Sequence, residues 1–410
     1  MDNRQNEQNL FDEYSSGRIS PASAFDSTDN PRDQALISML RDNREKNLSP
    51  YAFHSKDSRG RRFPEEPCTI RSDFERDTGR IIYSQAFRRL RHKTQVFFNP
   101  QNDHICSRIE HVIYVNYVAT TIARALNLNL DLVQAISLGH DIGHSPFGHS
   151  GEKTLHACVS RLDKNLFFQH EMQSLRVADL LATRAGKPGE GLNLSFEVRD
   201  GIVSHCGETY SEYKLFPDRT KSTDSILSRS DGHPMPATLE GCVVRIADKI
   251  AYVGRDIEDA ARAGILEFED IPPAITSTLG VTNSQIIHTL VTDIIHNSLN
   301  KDRVILSDET GQAMEALLKE NVRRIYQSDK IKKYETRVQT TVEGLFDAML
   351  SAMADPQKAR ASGNPVLEAL AVFHESYPDP SASAVQIITD YIAGMTDSYA
   401  NKCYESIYWV

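Results

Sequence analysis

Residues 138–152 read LGHDIGHSPFGHSGE and bring His140, Asp141, His144, His149 and Glu152 together, in a chain of 410 residues that holds 14 histidines in all. Imidazole nitrogen and carboxylate oxygen at this density form the donor set that divalent metals of the first transition row take together. Sites of that kind are usually assembled from several helices, and the sequence offers partners elsewhere: His111 in RIEHVIYV and Asp248 in RIADKIAYVGRDIEDA. Either residue alone would be read as an ordinary core or surface group. Beside the His140–Asp141 pair they become candidate ligands. Neighbouring residues of one helix point about 100° apart, so a His and an Asp in succession reach one ion only where the helix opens. Gly139 and Gly143 flank the pair and permit that opening.

His144 lies one turn after His140, and His149 follows a Pro146-Phe147-Gly148 turn that aims it back at the same place. Glu152, three residues further on, can orient the His149 imidazole and hold its proton in one tautomer, the pairing that a general acid or base needs. The plain alternative is a helix start capped by Ser150 with a glutamate in its first turn. FGHSGEKT is not a phosphate loop, because Gly and Lys are not adjacent and no strand precedes it. Further on, Asp248, Tyr252, Arg255 or Asp256, and Asp259 recur on one helical face with Lys249 beside the first. A stripe of that kind is ordinarily the wet side of a helix, but it could also hold a sugar hydroxyl at one end and a phosphate at the other.

The elements that must position these groups are helical. Residues 1–32 read as a polar tail; helical periodicity begins with Leu36, Ile37 and Leu40, and Ser55–Pro67 is a loop. FERDTGRIIYSQAFRRLRHKTQVF predicts a helix followed by a short extended piece at Thr94, Val96, Phe97 and Phe98. Helices are expected over 108–126, from Asp131 as N-cap to the His140–Asp141 pair, and over 239–263, with helix after helix to the C-terminus. The expected fold is all-α with little strand. The net charge of −10 argues against a general nucleic-acid coat, although Arg71–Lys93 holds seven Arg or Lys against three acids. No apolar run approaches the eighteen or so residues of a membrane span, and the N-terminus resembles neither a signal nor a transit peptide, so a cytoplasmic location is expected. The six cysteines form no C-x-x-C pair and are read as reduced, without an assigned role.

The ordered series RIEH, LGHDIGHSPFGHSGE and RIADKIAYVGRDIEDA resembles the H…HD…D signature of the HD-domain phosphohydrolases. FRRLRHKTQVF, FFQHEMQSLR at 167–176 and GLNLSFEVRDGI at 191–202 make it similar to one branch, the deoxynucleoside triphosphate triphosphohydrolases, or dGTPases. The likeness covers residues 69–263 well and the C-terminal third loosely. It implies an HD core over 33–265 with a loop-rich insertion at 183–237, and a helical region at 266–410 packing on that core. It also implies a metal site at His111, His140, Asp141 and Asp248, suited to Mn, Fe, Co or Ni, with Mg accompanying the phosphates.

The implied reaction cuts a dNTP between its 5′ oxygen and α-phosphorus, giving a deoxynucleoside and tripolyphosphate and so controlling dNTP pools. In it His149 and Glu152 are the acid–base pair, and His144 and His170 approach the α-phosphate. Arg108 and Lys249 hold phosphate, with one more basic residue from among Arg323, Arg324, Lys330 and Lys332. Gln95, Tyr252 and Asp256 contact the deoxyribose. Homo-oligomerisation and activation by dNTPs are further expectations of the resemblance; no motif points to a particular base. Two rival readings are another HD-type phosphohydrolase and a nucleotide-sensing or single-stranded-DNA-binding protein.

Overall fold

The computed structural model describes residues 31–96, 106–184, 187, 189–206, 210–223, 225–226 and 234–409. Most of the 1–32 tail, Phe97 and Phe98, and parts of the 183–237 insertion lie outside the described residues. The fold is all-α, as expected. Among the described residues the one sheet is a pair of two-residue strands, β1 (Lys214–Leu215) and β2 (Val304–Ile305), antiparallel with Leu215 opposite Val304.

After a helix at Pro31–Asn43, where the sequence pattern expected one, the N-terminal body continues with α1 (Asp73–Tyr83), whose start is fixed by reciprocal hydrogen bonds between Ser72 and Glu75. The next helices are α2 (Arg108–Ala125), α3 (Leu130–Gly139), α4 (Gly148–Leu162), α5 (His170–Arg176) and α6 (Phe196–Val203). α7 (Leu239–Val253) packs against α2, α3 and α6. It is buried along its whole length except at Asp248 and Tyr252, the pattern of a central helix that is solvated only where it meets a cavity. A buried carboxylate in its first turn, Glu240, accepts the backbone N–H groups of Phe53 (2.9 Å) and Asn129 (3.0 Å). That pins the segment before α1 and the start of α3 to α7.

Three expectations are corrected. Asn129 rather than Asp131 caps α3: its side chain accepts from Asp131 N and Leu132 N, and Asp131 instead accepts from the Ser72 hydroxyl at 2.9 Å. The helix expected over 239–263 breaks at Gly254, where a Cβ would lie 2.4 Å from Asn283 Oδ1, and resumes as α8 (Arg255–Arg262). The single helix expected before Thr94 breaks at Ser84 into a second, short helix at Gln85–Arg89, and among the described residues of the expected extended piece Thr94 forms a bridge with Ser107.

The remaining helices include α9 (Asp308–Asn321), the long α10 (Asp329–Ala352), α11 (Ala384–Ala393) and α12 (Asp397–Tyr408). Among the described residues two large hydrophobic cores result, beside a small cluster of Leu175, Phe196, Val203, Ile226 and Ala237. The first runs from Ala52 through α1–α3, α6 and α7 to Leu317 and Ile331, so residues 266–331 contribute to it. The second joins Leu345 and Phe346 of α10 and Ile388 of α11 to Leu155 of α4 and to Phe147. The turn before α4 thus spans both cores, with Ile142 in the first and Phe147 in the second.

Candidate active site

The groups singled out in the sequence converge where α2, α3, α6 and α7 meet. The capping box of Ser107 and Glu110 starts α2 and sets His111 one turn in. His111 Nε2 lies 2.9 Å from Asp248 Oδ1 on α7. His140 is the C-cap of α3, completely buried, and its Nδ1 donates to Ser137 O at 2.7 Å. The lone pair therefore sits on Nε2, which has no hydrogen-bond partner. A buried imidazole nitrogen left unpaired costs stability unless something else meets it. Donor atoms of His111, His140 and Asp141 lie within 4.8 Å of one another, as do those of His140, His205 and Asp248. Burial lowers the His140 pKa, and burial with neighbouring imidazoles takes that of His205 to about 3, which keeps both rings in the neutral form that binds metal. The residues present therefore fit a divalent ion.

Gly139 and Gly143 serve close packing rather than an opened backbone. A Cβ on Gly139 would lie 2.8 Å from Ile202, and one on Gly143 would lie 2.1 Å from the Ser174 backbone nitrogen. Asp141 follows the helix end, with Oδ2 3.6 Å from His140 Nε2 and ion-paired to Arg108, and Oδ1 3.8 Å from His170 Nε2. Burial alone would raise its carboxyl, yet Arg108 and the imidazoles hold it well below the usual carboxylate range.

His149 is aimed by backbone strain. Phe147 and Gly148 are both left-handed, with φ of 64° and 60°. For a phenylalanine that costs on the order of 1–3 kcal/mol, offset by burial of its ring in the second core and by its N–H donating to Asp397 Oδ1 at 2.8 Å. α4 consequently begins at Gly148, and Ser150 is not its cap. His149 is 69% exposed in its side chain, with Nδ1 3.3 Å from Glu152 Oε2. Glu152 is bound more closely to His170, accepting its backbone N–H at 2.8 Å and its Nδ1 at 2.9 Å. His144 stacks on the His170 ring at 4.6 Å, and its Nε2 is buried without a partner. Burial opposes charge on His170, while Cys206 and Glu152 favour it and raise its pKa well above the usual value. Burial pushes the Cys206 thiol itself to about 12, so at neutral pH the Glu152 carboxylate is the partner that counts.

These side chains open on a cavity of roughly 410 Å³, which Gln95, Arg108, Lys249, Tyr252 and Asp256 also line. Gln95 Oε1 is buried and unpartnered. Arg108 is committed to Asp141 and to the carbonyls of Thr94 and Gln95. Lys249 lies 3.4 Å from Glu212, an acid that the sequence did not mark. The break at Gly254 divides the expected stripe. Asp256 stays on the cavity, whereas Arg255 turns over the Tyr114 ring and Asp259 pairs with Arg262. None of Arg323, Arg324, Lys330 and Lys332 lines the cavity; the two arginines pair with Glu320. From that region come instead Tyr326, whose hydroxyl donates to Asp256, and Glu335. His205 and Cys206 were also missed. Their one sequence signal is a His two residues past the end of a helix, much as His140 follows α3.

A buried His/Asp cluster set on a helical bundle defines the HD class of hydrolases, and residues 108–253 match the HD domain family model. Residues 304–406 match the phosphohydrolase-associated domain. A deoxyguanosinetriphosphate triphosphohydrolase-like protein of Caldanaerobacter subterraneus subsp. tengcongensis is 41% identical over 88% of this chain and 92% of its own length. Proteins of the same description from Desulfatibacillum aliphaticivorans and Thiobacillus denitrificans are 37% and 34% identical, over 88% and 89% of this chain and 95% and 98% of theirs. The chain belongs to this family of deoxyguanosinetriphosphate triphosphohydrolase-like HD proteins.

Proposed function

We propose that the protein hydrolyses deoxynucleoside triphosphates between the 5′ oxygen and the α-phosphorus, releasing a deoxynucleoside and tripolyphosphate and thereby limiting dNTP pools. The observation that supports this most is the convergence in one cavity of the His/Asp cluster, the His149–Glu152–His170 group and the Tyr252–Asp256–Tyr326 group. His111, His140, Asp141 and Asp248 would hold an ion of the Mn, Fe, Co or Ni kind. A bound ion of this class supplies Lewis acidity, which offsets phosphate charge and acidifies water.

The chain's own groups do the rest. His149, exposed at the mouth beside Glu152, holds the proton that the departing 5′ oxygen needs. His144 and His170 face the α-phosphate, and Lys249 and Arg108 contribute positive charge along the triphosphate. Asp256, whose carboxyl burial pushes up to about 7, presents with Tyr252 a hydrogen-bonding pair for the 3′ hydroxyl of the sugar. Unpartnered Gln95 Oε1 is an acceptor on the same wall. Homo-oligomer formation, activation by dNTPs, Mg accompanying the phosphates and a cytoplasmic location belong to the same proposal. Among the described residues no helix is long and apolar enough to cross a membrane.

The test is chromatography of the products from each dNTP and from GTP, with Mn, Fe, Co, Ni and Mg in turn. Tripolyphosphate from dNTPs and little turnover of GTP is the expected result. Pyrophosphate as product, or equal turnover of GTP, would replace this reading with a broader HD phosphohydrolase. The single-stranded-DNA reading is weakened because Arg76 and Arg80 pair with Glu65 and Lys93 is buried against the carbonyls of His144 and Ala393, which leaves Arg71, Arg88 and Arg91 exposed in that segment.

A further inference from the structure

We propose that the cavity contains a second metal site of different chemistry, formed by Cys206, His170 and His205 and completed by the Oδ1 side of Asp141, which takes a thiophilic divalent ion of the zinc kind. The inference rests on the assignment of Asp141 to the first site and is independent of the substrate.

The donor spacing carries it. His170 Nε2 and His205 Nε2 are 3.3 Å apart, and Cys206 Sγ lies 3.2 Å from the first and 3.3 Å from the second. Around a tetrahedral zinc with bonds of about 2.0–2.1 Å to nitrogen and 2.3 Å to sulfur, neighbouring donors fall roughly 3.3–3.6 Å apart. Asp141 Oδ1 stands 3.8 Å from His170 Nε2 and 4.0 Å from His205 Nε2, so a modest closure of one carboxylate completes four ligands. The same carboxylate turns its other oxygen toward His140 and would bridge the two sites.

The hydrogen bonds behind the rings fix which nitrogen is available. His170 Nδ1 is held by Glu152 at 2.9 Å, and His205 Nδ1 by Ile202 O at 2.6 Å. With both Nδ1 protons committed, the two Nε2 atoms face each other across 3.3 Å, bridged by the His170 proton in the ion-free chain, a proton that a bound cation replaces. A carboxylate or carbonyl behind the imidazole is the support that metal-binding histidines have. Both rings are buried and the thiol is part-buried at the cavity wall, so an ion can enter from the cavity. Sulfur selects the ion, because thiolate favours zinc-like metals and Mg does not take it. Binding displaces the thiol proton to solvent, and no oxidation is involved.

Titration of the metal-stripped full-length chain with Co²⁺ tests this through absorption and elemental analysis together. The expected result is two ions per chain with a thiolate-to-cobalt charge-transfer band. Cys206→Ser should bind one ion and lose the band, whereas Asp248→Ala should lose the first ion and keep the band. As a check that needs no variant, Zn²⁺ should slow alkylation of Cys206 in the wild-type chain, read by peptide mass, about tenfold or more. No band in the wild type, or two ions still bound by Cys206→Ser, or alkylation unaffected by Zn²⁺, overturns the proposal. Two ions and a thiolate band in a chain that makes no tripolyphosphate would leave this site standing and remove the function proposed above.

Discussion

At the scale of the residue, His149 and Glu152 do different jobs. His149 is exposed and, besides Glu152, meets the rings of His144 and His170 only edge-on, at 5.4 and 6.0 Å, so its removal should move the melting temperature little. If it delivers the proton, His149→Ala should retain metal and KM while kcat falls by roughly 10²–10⁴. Kinetics, metal analysis and thermal melting on one preparation decide the matter. A variant with full kcat, or one that fails only by melting early, removes His149 from the chemistry. Glu152→Gln should lower both kcat and melting temperature, because Glu152 also holds the backbone and ring of His170.

At the scale of the element, close approach governs the site. A Cβ on Gly151 would lie 1.9 Å from Pro146 O, so Gly151→Ala must displace the turn that aims His149. Overpacking of this kind costs about 1–3 kcal/mol, and a displacement near 1 Å costs about 10² in rate. Gly151→Ala should therefore lose kcat in the surviving folded protein as well as thermal stability, and a fully active variant would show that the turn has slack. The start of α7 carries a pH-dependent term. Burial pushes the Glu240 carboxyl from its ordinary 4.5 up to about 7, despite the N–H groups it accepts. The folded state thus keeps a proton that the unfolded chain releases, so this stabilisation is complete below about 4.5 and is lost as pH rises through 7. Glu240→Gln keeps an acceptor and removes the titration. Its stability relative to the wild type should improve by roughly 1–3 kcal/mol between pH 5 and pH 8, measured by denaturant melts. A difference independent of pH would show that Glu240 is ionised in the fold.

At the scale of the whole molecule, the catalytic turn hangs on the C-terminal body. Asp397, buried in the first turn of α12, accepts from Thr94 N and from Phe147 N, each at 2.8 Å, and from the Thr94 hydroxyl. Lys93, one residue earlier, joins His144 O to Ala393 O. Asp397→Ala leaves those donors buried and unmade, at a cost of about 2–5 kcal/mol. It should lower melting temperature and kcat together although it lies outside the cavity, and unchanged kcat would show that the two bodies are energetically separate at this seam.

The helical class, the α2 and α3 helices and the identity of the clustered His and Asp residues were legible in the sequence, because helical period and ligand spacing are local properties of the chain. α7 breaks at Gly254, where Asn283 packs so closely that a Cβ would clash, a contact that no local signal announces. The partners that decide what each group can do were not legible either. His205, Tyr326, Glu212 and Asp397 come from segments far along the chain, and folding alone sets them against His140, Asp256, Lys249 and Phe147. Burial, tautomer and charge state depend on those long-range neighbours. The sequence by itself therefore determined which atoms could bind a metal or carry a proton, and the tertiary structure decided which of them face one another.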